Sequence, residues 1–404
     1  MEWLVLIALS ITVRTTVQQV LGFTVPLYDA GLAGYSHKLK IAYLEPAFEV
    51  LLTTTSSMLW IPHINCTTEA CENKKKFNSS RSSSFKLDAT TWQSEKYGAN
   101  GVLGIDTIVL YQTSGTMRVM PYTAFGMATN ITVGDKTVNV PDGALGLSFR
   151  SDPGSNSTAF ISQAKSKGYL YDAIFTVYLK SQTEAGEEAG MITYGSQNFD
   201  NCAPIVDYHS FSTYTSYQFQ ITTISLGRIY WPKKFEAVPD LHKFIIGPYY
   251  IIAQLAITAG AEYDEGFYWI DCNATFPDLE IKIGSMSYYI SSEELILRND
   301  NDTTCMLAMK HMRRDVQLDY QWSFGAPFIQ SHCISLDFGR KRLGIARMNY
   351  TSTTTTVTRR RRTTRSTTIR APLTSSKIAT TTSAAPRQQL FIVTAFASLI
   401  VGLT

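Results

Sequence analysis

Short stretches that alternate apolar and polar residues run along the chain between about residues 22 and 348, and Gly, Pro, Asn or Asp separates them. A period of two residues is typical of β-strands with one buried face. Four clear examples are Phe48 to Leu52, Thr107 to Tyr111, Ile174 to Leu179 and Leu279 to Ile283. The helical period is sustained in few places, which include Ser157 to Gly168 and Pro248 to Ile257. The pattern therefore predicts an all-β architecture with a few short helices.

The length and composition allow this pattern to form a large folded protein. The chain has 404 residues, of which 45% are hydrophobic and 17% are charged, so two domains with sizeable cores are expected. The net charge is only +3, and a cluster of arginines near the C-terminus supplies much of the positive charge. We therefore expect no nucleic-acid partner and no general attraction of the folded part to membranes.

The N-terminus has the features of a secretory signal peptide, which we place at residues 1–22. Trp3 to Val13 is an apolar run of suitable length for the hydrophobic region and is too short to cross a bilayer. The region before this run is atypical, because Glu2 is acidic and neither Lys nor Arg is present. A buried first element of the fold is the alternative.

The cysteine and asparagine patterns also favour the secretory pathway. The cysteines number six, an even count that suits an oxidising compartment. We therefore expect a glycoprotein that is secreted or held on the extracellular face of the plasma membrane. N-x-S/T sequons predict glycosylation of exposed loops at Asn65, Asn78, Asn130, Asn156, Asn273, Asn301 and Asn349.

The composition changes abruptly after residue 350. Residues 349–389 are rich in Thr, Ser and Arg, which predicts an extended stalk without a core. Within this stalk, Arg359 to Arg362 form either a solvated spacer or a basic processing site that releases the ectodomain. Residues 390–404 form an apolar tail that is short for a spanning helix. The tail predicts a GPI signal, with Ala379 to Thr381 as the attachment triplet, or a short membrane anchor.

The segment from Val50 to Pro62 reads VLLTTTSSMLWIP. It resembles the first active-site segment of the pepsin-like aspartic proteases, in which a strand leads into Asp-Thr-Gly-Ser-Ser-x-Leu-Trp-x-Pro. Cys66 and Cys71 follow at the spacing of the family's small disulfide loop. The stretch from Lys76 to Phe85 then resembles the family's Phe-x-x-x-x-Ser-Ser-Thr-Phe region.

Further segments follow in the family's order, so the resemblance covers roughly residues 30–348. They resemble the flap with its return strand, the Asp-Gly-x-Leu-Gly-Leu motif, the end of the first lobe and the last strands, and they lie at Tyr97 to Asp106, Val140 to Leu147, Met191 to Gly195, Phe324 to Ile329 and Asp337 to Ala346. The resemblance implies a bilobal all-β fold with a cleft between an N-terminal lobe at residues 23–200 and a C-terminal lobe at residues 201–348.

The resemblance also implies how the cysteines pair. The family's small loop corresponds to a disulfide between Cys66 and Cys71, and its second-lobe disulfide corresponds to Cys272 and Cys305. Cys202 and Cys333 then pair with each other, as in nematode homologues. Because the cysteines are paired and the sequence contains neither HExxH nor paired CxxC, we expect no metal site and no cofactor.

The catalytic aspartates of the family are not present in this sequence. The family's reaction needs two carboxylates that share one proton, and each comes from an Asp-Thr-Gly turn. Thr53 stands at the first Asp position and Thr55 stands at the Gly position. A threonine hydroxyl does not ionise near working pH and cannot act as a carboxylate base. The first half of the catalytic pair is therefore absent.

The second Asp-Thr-Gly turn admits two registers. Counting back from the glycine-proline pair at residues 247–248 places Pro239 at the Asp position, whereas a one-residue deletion would place Asp240 there. In the second register Leu241 replaces Thr and His242 replaces Gly. The pair of carboxylates is incomplete in either register, and both registers remain open at the level of sequence.

Smaller departures also indicate that proteolytic activity has been lost. The flap that begins at Tyr97 is shorter than the family's, Ala326 stands where Asp is common, and no basic propeptide fits before the first strands. A new nucleophilic pair between His242 and Ser56 or Ser57 would need a third group to orient the histidine, and the sequence indicates none. We interpret His242 as a turn residue.

Trp60, Tyr97 and Ser56 are retained at positions that lie beside the cleft in the family. These residues either pack only, or they preserve a groove that binds extended peptides through backbone hydrogen bonds without catalysis. We expect a monomer without proteolytic activity that binds a peptide or protein ligand. The alternatives are an aspartic endopeptidase that uses Asp240 in a non-standard way, and a surface coat or antigenic glycoprotein without a specific ligand.

Overall fold

The alternating stretches form strands in the computed structural model, which describes residues 22–349 apart from residues 45, 95, 133–140, 152–157, 299–302 and 314–317. Nearly all of the predicted signal peptide and stalk, the arginine cluster, the apolar tail and the sequons at Asn156 and Asn301 lie outside the described residues. The described residues belong to one compact unit.

Strands dominate both halves of the described chain. The first half contains β1 to β10, which span Phe23–Asp29, Tyr35–Ile41, Phe48–Thr53, Leu59–Pro62, Lys86–Ser94, Ala99–Tyr111, Met117–Ile131, Gly143–Gly146, Ile174–Leu179 and Glu188–Tyr194. The second half contains β11 to β26, which span Asp207–Ser210, Phe219–Ile221, Thr223–Leu226, Ile229–Trp231, Phe235–Pro239, Ile245–Gly247, Glu262–Asp264, Phe267–Asp271, Leu279–Ile283, Met286–Ile290, Ile296–Leu297, Thr304–Leu307, Met309–His311, Trp322–Phe324, Cys333–Asp337 and Arg342–Ala346. The predicted all-β class is confirmed.

The largest sheet joins the first and last strands of the chain. Its thirteen strands follow the order β11-β26-β25-β9-β10-β1-β2-β3-β8-β4-β7-β6-β5. The last strands enter this sheet because β25 pairs antiparallel with β9 and β26 pairs with β25. The remaining strands form three smaller sheets with the orders β12-β15-β24-β16-β23, β14-β13-β19-β20 and β17-β18-β22-β21. The strand content and the few short helices fit the bilobal all-β fold that the resemblance implied.

Three α-helices occur among the described residues: α1 at Phe160–Ser166, α2 at Tyr249–Ala259 and α3 at Ala326–Ser331. The first lies within a segment that carries a helical period, and the second overlaps such a segment and ends two residues after it. The prediction that Phe324 to Ile329 forms a strand is wrong, because β24 ends at Phe324 and α3 begins two residues later. Pro327 lies in the first turn of α3, where its fixed φ and missing N–H are compatible with a helix.

One continuous apolar core extends through both lobes and includes side chains from β1 as well as from β24 and α3. Tyr217 lies at the contact between the lobes, since its hydroxyl donates to the Leu147 carbonyl oxygen at 2.7 Å and its ring packs against Phe175. Three disulfides are present as the resemblance implied, and they join Cys66 to Cys71, Cys202 to Cys333 and Cys272 to Cys305.

A buried histidine on β2 makes the fold sensitive to acid. His37 is fully buried, and neither of its ring nitrogens has a hydrogen-bond partner among the described residues. Burial lowers the pKa of His37 from 6.5 to about 3. Below pH 6.5 the unfolded chain therefore binds a proton that the folded chain does not bind, and stability falls by about 1.4 kcal/mol per pH unit until the lower pKa is reached.

We predict that His37→Leu makes the free energy of unfolding less dependent on pH in the range from pH 6.5 to pH 4. Urea unfolding at several pH values measures this slope. The His37→Leu variant should keep part of the wild-type slope, because burial also lowers the pKa of His242 and of His332 to about 4. The control is His63→Leu. Because His63 is only partly buried, this variant should change the slope less than His37→Leu does. Equal slopes for the wild type and His37→Leu would show that this imidazole does not cause the acid sensitivity.

Candidate functional site

Two strand ends meet at the centre of the molecule, and their pairing fixes the register of the second turn. In the first lobe, Leu52 at the end of β3 pairs in parallel with Leu145 on β8. In the second lobe, Pro239 at the end of β15 pairs in parallel with Phe324 on β24. Leu145 and Phe324 each precede a glycine, so Pro239 corresponds to Leu52 and the next residue corresponds to Thr53.

The structure therefore places Asp240, and not Pro239, opposite Thr53. The Thr53 hydroxyl donates to the two carboxylate oxygens of Asp240, at 3.0 Å to Oδ1 and 3.1 Å to Oδ2. The register with Pro239 at the Asp position is wrong, because one fewer residue separates this turn from the glycine-proline pair at residues 247–248 than in the family. One carboxylate occupies the position of the family's catalytic pair, and a hydroxyl occupies the other.

Asp240 is buried and is surrounded by donors. The backbone N–H groups of Thr54 and Leu241 donate to Oδ1 at 2.8 Å and 2.9 Å. The Thr55 hydroxyl donates to Oδ2 at 3.2 Å, so the residue that replaces the family's glycine adds a further partner. These donors compensate the carboxylate for the loss of water.

The remaining partner of this carboxylate is a lysine from the flap. Lys96 lies in the turn between β5 and β6, and its Nζ atom lies 3.2 Å from Oδ2 of Asp240. The same ammonium group donates to Oγ1 of Thr53 at 2.7 Å and to Oγ1 of Thr55 at 2.8 Å. Reasoning from the sequence missed Lys96, although its position directly before the flap residue Tyr97 was the available signal.

Opposing effects set the ionisation of this pair. Burial alone would raise the pKa of Asp240, but the charge of Lys96, the neighbouring His242 and the two backbone N–H groups outweigh it and hold the pKa well below its usual value. Burial would lower the pKa of Lys96, but Asp240 outweighs it and raises that pKa. Tyr320 also faces the pair, and burial together with the charge of Asp240 raises its pKa to about 12. Asp240 and Lys96 are therefore both charged at neutral pH.

The bracing between the two turns is asymmetric. The Thr54 hydroxyl donates to the carbonyl oxygen of Pro239, across the contact between the lobes. Leu241 stands at the matching position of the second turn and has no hydroxyl, so it cannot make the reciprocal bond. It is buried in the apolar core instead.

His242 does not provide the base of a nucleophilic pair with Ser56 or Ser57. Its Nε2 atom lies 2.7 Å from the hydroxyl of Ser323, and its Nδ1 atom accepts from the backbone N–H of Phe244 at 3.3 Å. A neutral ring that accepts at Nδ1 carries its proton on Nε2, so it donates to Ser323 and cannot remove a proton from that hydroxyl.

The predicted cleft residues lie beside the charged pair. The rings of Trp60 and Tyr97 are in contact, with their centroids 5.7 Å apart. Trp60 is buried, and it also contacts Trp92 on the flap hairpin. Ser56 is buried as well, and its carbonyl oxygen accepts from the backbone N–H of Ser148. The hairpin that carries Lys96 and Tyr97 is thus supported from below by aromatic packing.

A cavity of about 720 Å³ lies beside the segment that follows Asp240 but includes neither Asp240, Thr53 nor Lys96. Its lining includes Asp29 and Lys243, which form a buried ion pair between the end of β1 and the second-lobe turn. This ion pair connects β1 to the segment that follows Asp240.

Several predicted surface features can be located in the part of the chain that the structure describes. Of the sequon residues, Asn65, Asn273 and Asn349 are exposed, whereas Asn78 and Asn130 are half-buried. No helix of the described residues is long and apolar enough to cross a membrane. Within the same residues, no three His, Cys, Asp or Glu side chains are grouped so that they could hold a metal ion.

Comparison with known proteins identifies relatives along most of the chain. Residues 34–348 match the family model described as eukaryotic aspartyl protease. Aspartic protease 6 of Caenorhabditis elegans is 33% identical over 330 residues, which cover 79% of this chain and 82% of that protein. Aspartic protease 2 of Necator americanus is 26% identical over 360 residues, with coverage of 78% and 83%. Pepsin A of Suncus murinus is 25% identical over 308 residues, with coverage of 74% and 77%.

We predict that Lys96→Met raises the pKa of Asp240, because burial is then opposed by fewer positive charges. Asp240 stabilises the folded state above its unfolded pKa of 3.8, and this stabilisation is lost as the pH falls toward its lower folded value. The variant should lose about 1–2 kcal/mol of unfolding free energy at pH 7. Urea unfolding and a carbon-13 NMR titration of the Asp240 carboxyl measure the two effects.

The control for this experiment is Lys75→Met. Lys75 forms an ion pair with Asp142 and its side chain is 45% exposed, close to the 42% of Lys96. The Lys75→Met variant should leave the titration of Asp240 unchanged. An unchanged Asp240 titration in Lys96→Met would show that the ammonium group does not control this carboxylate.

Proposed function

The chain belongs to the eukaryotic aspartyl protease family, and within that family we propose that it is a catalytically inactive protein of the secretory pathway that binds peptide or protein ligands in its cleft. The observation that carries this proposal is the trio of Thr53, Asp240 and Lys96. The family's reaction needs two carboxylates that share one proton, so that one acts as a base and the other as an acid. Here a hydroxyl replaces one carboxylate, and an ammonium group neutralises the other.

The alternative of an endopeptidase that uses Asp240 alone is disfavoured by the charge balance. A carboxylate whose pKa is held far below its usual value is a poor general base at neutral pH, and it has no proton to give as an acid. Lys96 cannot activate the Thr53 hydroxyl either, because its pKa is raised and the amine stays protonated. Both routes to an unconventional nucleophile are therefore weak.

Peptide binding is supported by the retained cleft residues and the retained flap hairpin. Trp60 and Tyr97 remain in contact beside the site, and β5 and β6 of the flap hairpin remain paired on both sides of one irregularity between Asp88 and Thr91. A hairpin over a cleft can bind an extended peptide through its backbone, and this mode of recognition needs no catalytic group. A surface coat protein without a specific ligand would need these contacts only for packing.

The secretory pathway is supported by the disulfides, by the sequons and by the two ends of the chain. Three disulfides close within the described residues, which suits an oxidising compartment. Three sequon asparagines, Asn65, Asn273 and Asn349, are exposed and accessible to glycosylation. The N-terminal apolar run supplies the entry signal, and the stalk with its apolar tail supplies a GPI or membrane anchor at the cell surface.

We predict that the purified ectodomain, residues 23–350, cleaves no member of an unbiased peptide library between pH 2 and pH 7. Mass spectrometry of the library detects new termini, and Asp240→Ala is the matched variant. Circular dichroism confirms that both proteins are folded at each pH. Cleavage by the wild type that disappears in Asp240→Ala would overturn the proposal, because it would show that this carboxylate has found an acid partner.

A further inference from the structure

The Lys96 ammonium group occupies a position that its three protons fit well. Three oxygen atoms surround Nζ: Oγ1 of Thr53 at 2.7 Å, Oγ1 of Thr55 at 2.8 Å and Oδ2 of Asp240 at 3.2 Å. An alkylammonium group has three N–H donors and no acceptor. The number of acceptors therefore equals the number of donors.

The hydroxyl groups are oriented for this role by the carboxylate. Thr53 and Thr55 each donate their own proton to Asp240, at 3.0 Å and 3.2 Å, so their lone pairs remain for the ammonium group. The backbone N–H of Thr55 also donates to Oγ1 of Thr53 at 3.2 Å, which helps to fix that oxygen. The three oxygens belong to the two turns below the flap, so the arrangement does not depend on the flap itself.

Lys96 is the replaceable member of this arrangement. It lies in the flap turn and its side chain is 42% exposed, whereas the side chain of Asp240 is only 5% exposed. A peptide that enters between the flap and the turns must separate the two charges. Lys96 can then move into water, because part of its side chain is already exposed, but Asp240 would be left as a buried charge without a cation, which is strongly unfavourable.

We propose that the centre of the cleft is a receptor for a primary ammonium group, and that the peptide ligand of this protein places a lysine there. This inference rests on the proposed function, because it names the ligand class of the same cleft. A ligand lysine restores the charge balance of Asp240 and satisfies the same three oxygens that Lys96 leaves. Lys96 thus acts as the occupant of the receptor when no ligand is bound.

Other ligand chemistries fit less well. An acidic side chain would meet the negative charge of Asp240, and a neutral one would leave that charge unpaired. The planar guanidinium of arginine presents its donors as a flat fork, which matches a carboxylate edge better than three oxygens placed around one nitrogen atom. The geometry therefore favours lysine over arginine.

The first test uses the ammonium group alone. Lys96→Ala empties the receptor, and the probe is methylammonium chloride, with tetramethylammonium chloride at equal ionic strength as the control because it has no N–H donor. We expect methylammonium to raise the Tm of Lys96→Ala with increasing concentration and to leave the wild type and Lys96→Ala/Asp240→Asn unchanged. Lys96→Ser is a second variant for the same measurement. If neither Lys96→Ala nor Lys96→Ser is stabilised by methylammonium, the proposal is wrong.

The second test uses an extended peptide, Ala-Val-Phe-Lys-Phe-Val-Ala, and two variants of it in which N-acetyl-lysine or arginine replaces the central lysine. Calorimetry should show that the lysine peptide binds Lys96→Ala at least about tenfold more tightly than the acetyl-lysine or the arginine peptide does. Asp240→Asn should remove this preference for lysine. The wild type should show the same order with weaker affinity, because Lys96 competes for the receptor. Equal affinities for the lysine and acetyl-lysine peptides would overturn the lysine assignment.

The two proposals fail in different ways. Cleavage of the peptide, detected by mass spectrometry after the titration, would overturn the proposed absence of catalysis and would not bear on the amine preference. Binding without cleavage and without an amine preference would overturn only the proposal of an ammonium receptor.

Discussion

A carboxylate that is buried between two lobes must find enough donors inside the protein to replace water, and Asp240 imposes this requirement on its whole surroundings. The end of β3 and the turn after it supply two threonine hydroxyls, the second-lobe turn supplies a backbone N–H, and the flap supplies an ammonium group. These groups come from elements that are distant in sequence. The meeting of the lobes and the closure of the flap are therefore tied to one charge, and loss of any partner weakens the others.

This arrangement changes the chemistry for which the fold is suited. Two carboxylates that share a proton form a site that must exchange that proton in order to work. A carboxylate that is paired with an ammonium group holds a fixed charge over a wide pH range, so it is suited to recognition. The substitutions at residues 53 and 55 do not disrupt the site, because both hydroxyls bond to the carboxylate and to the flap lysine. The site is rebuilt around a different pair of charges.

Much of the fold could be predicted from local patterns. β9 and β19 have the bounds that the sequence pattern indicated, and β19 buries one regular face whereas β9 is buried on both faces. α3 was misread as a strand, because a six-residue helix is too short to show a period and a proline such as Pro327 occurs in loops as well as at helix starts. The register of the second turn could not be decided, since a single deletion is visible only when β15 and β24 are paired.

The central contact of the site was beyond prediction for a similar reason. Lys96 and Asp240 are separated by 144 residues, and nothing near either of them in the sequence indicates the other. Only the folding of the flap over the meeting point of the lobes brings them together. The sequence could identify what had been lost from the two turns, but it could not show which group had taken the vacant place.

The disulfide between Cys202 and Cys333 has a consequence for how this protein would survive outside the cell. Its sulfur atoms join residues that are 131 positions apart, and the ring so closed contains β11 to β24, all of α2 and α3, and the Cys272–Cys305 bridge. Directly after Cys333, β25 returns to the large sheet and anchors the base of the ring. A protease that cuts one loop within this ring would release no fragment. The second lobe would stay attached through sulfur, and the nicked chain would keep its full mass until the disulfides were reduced.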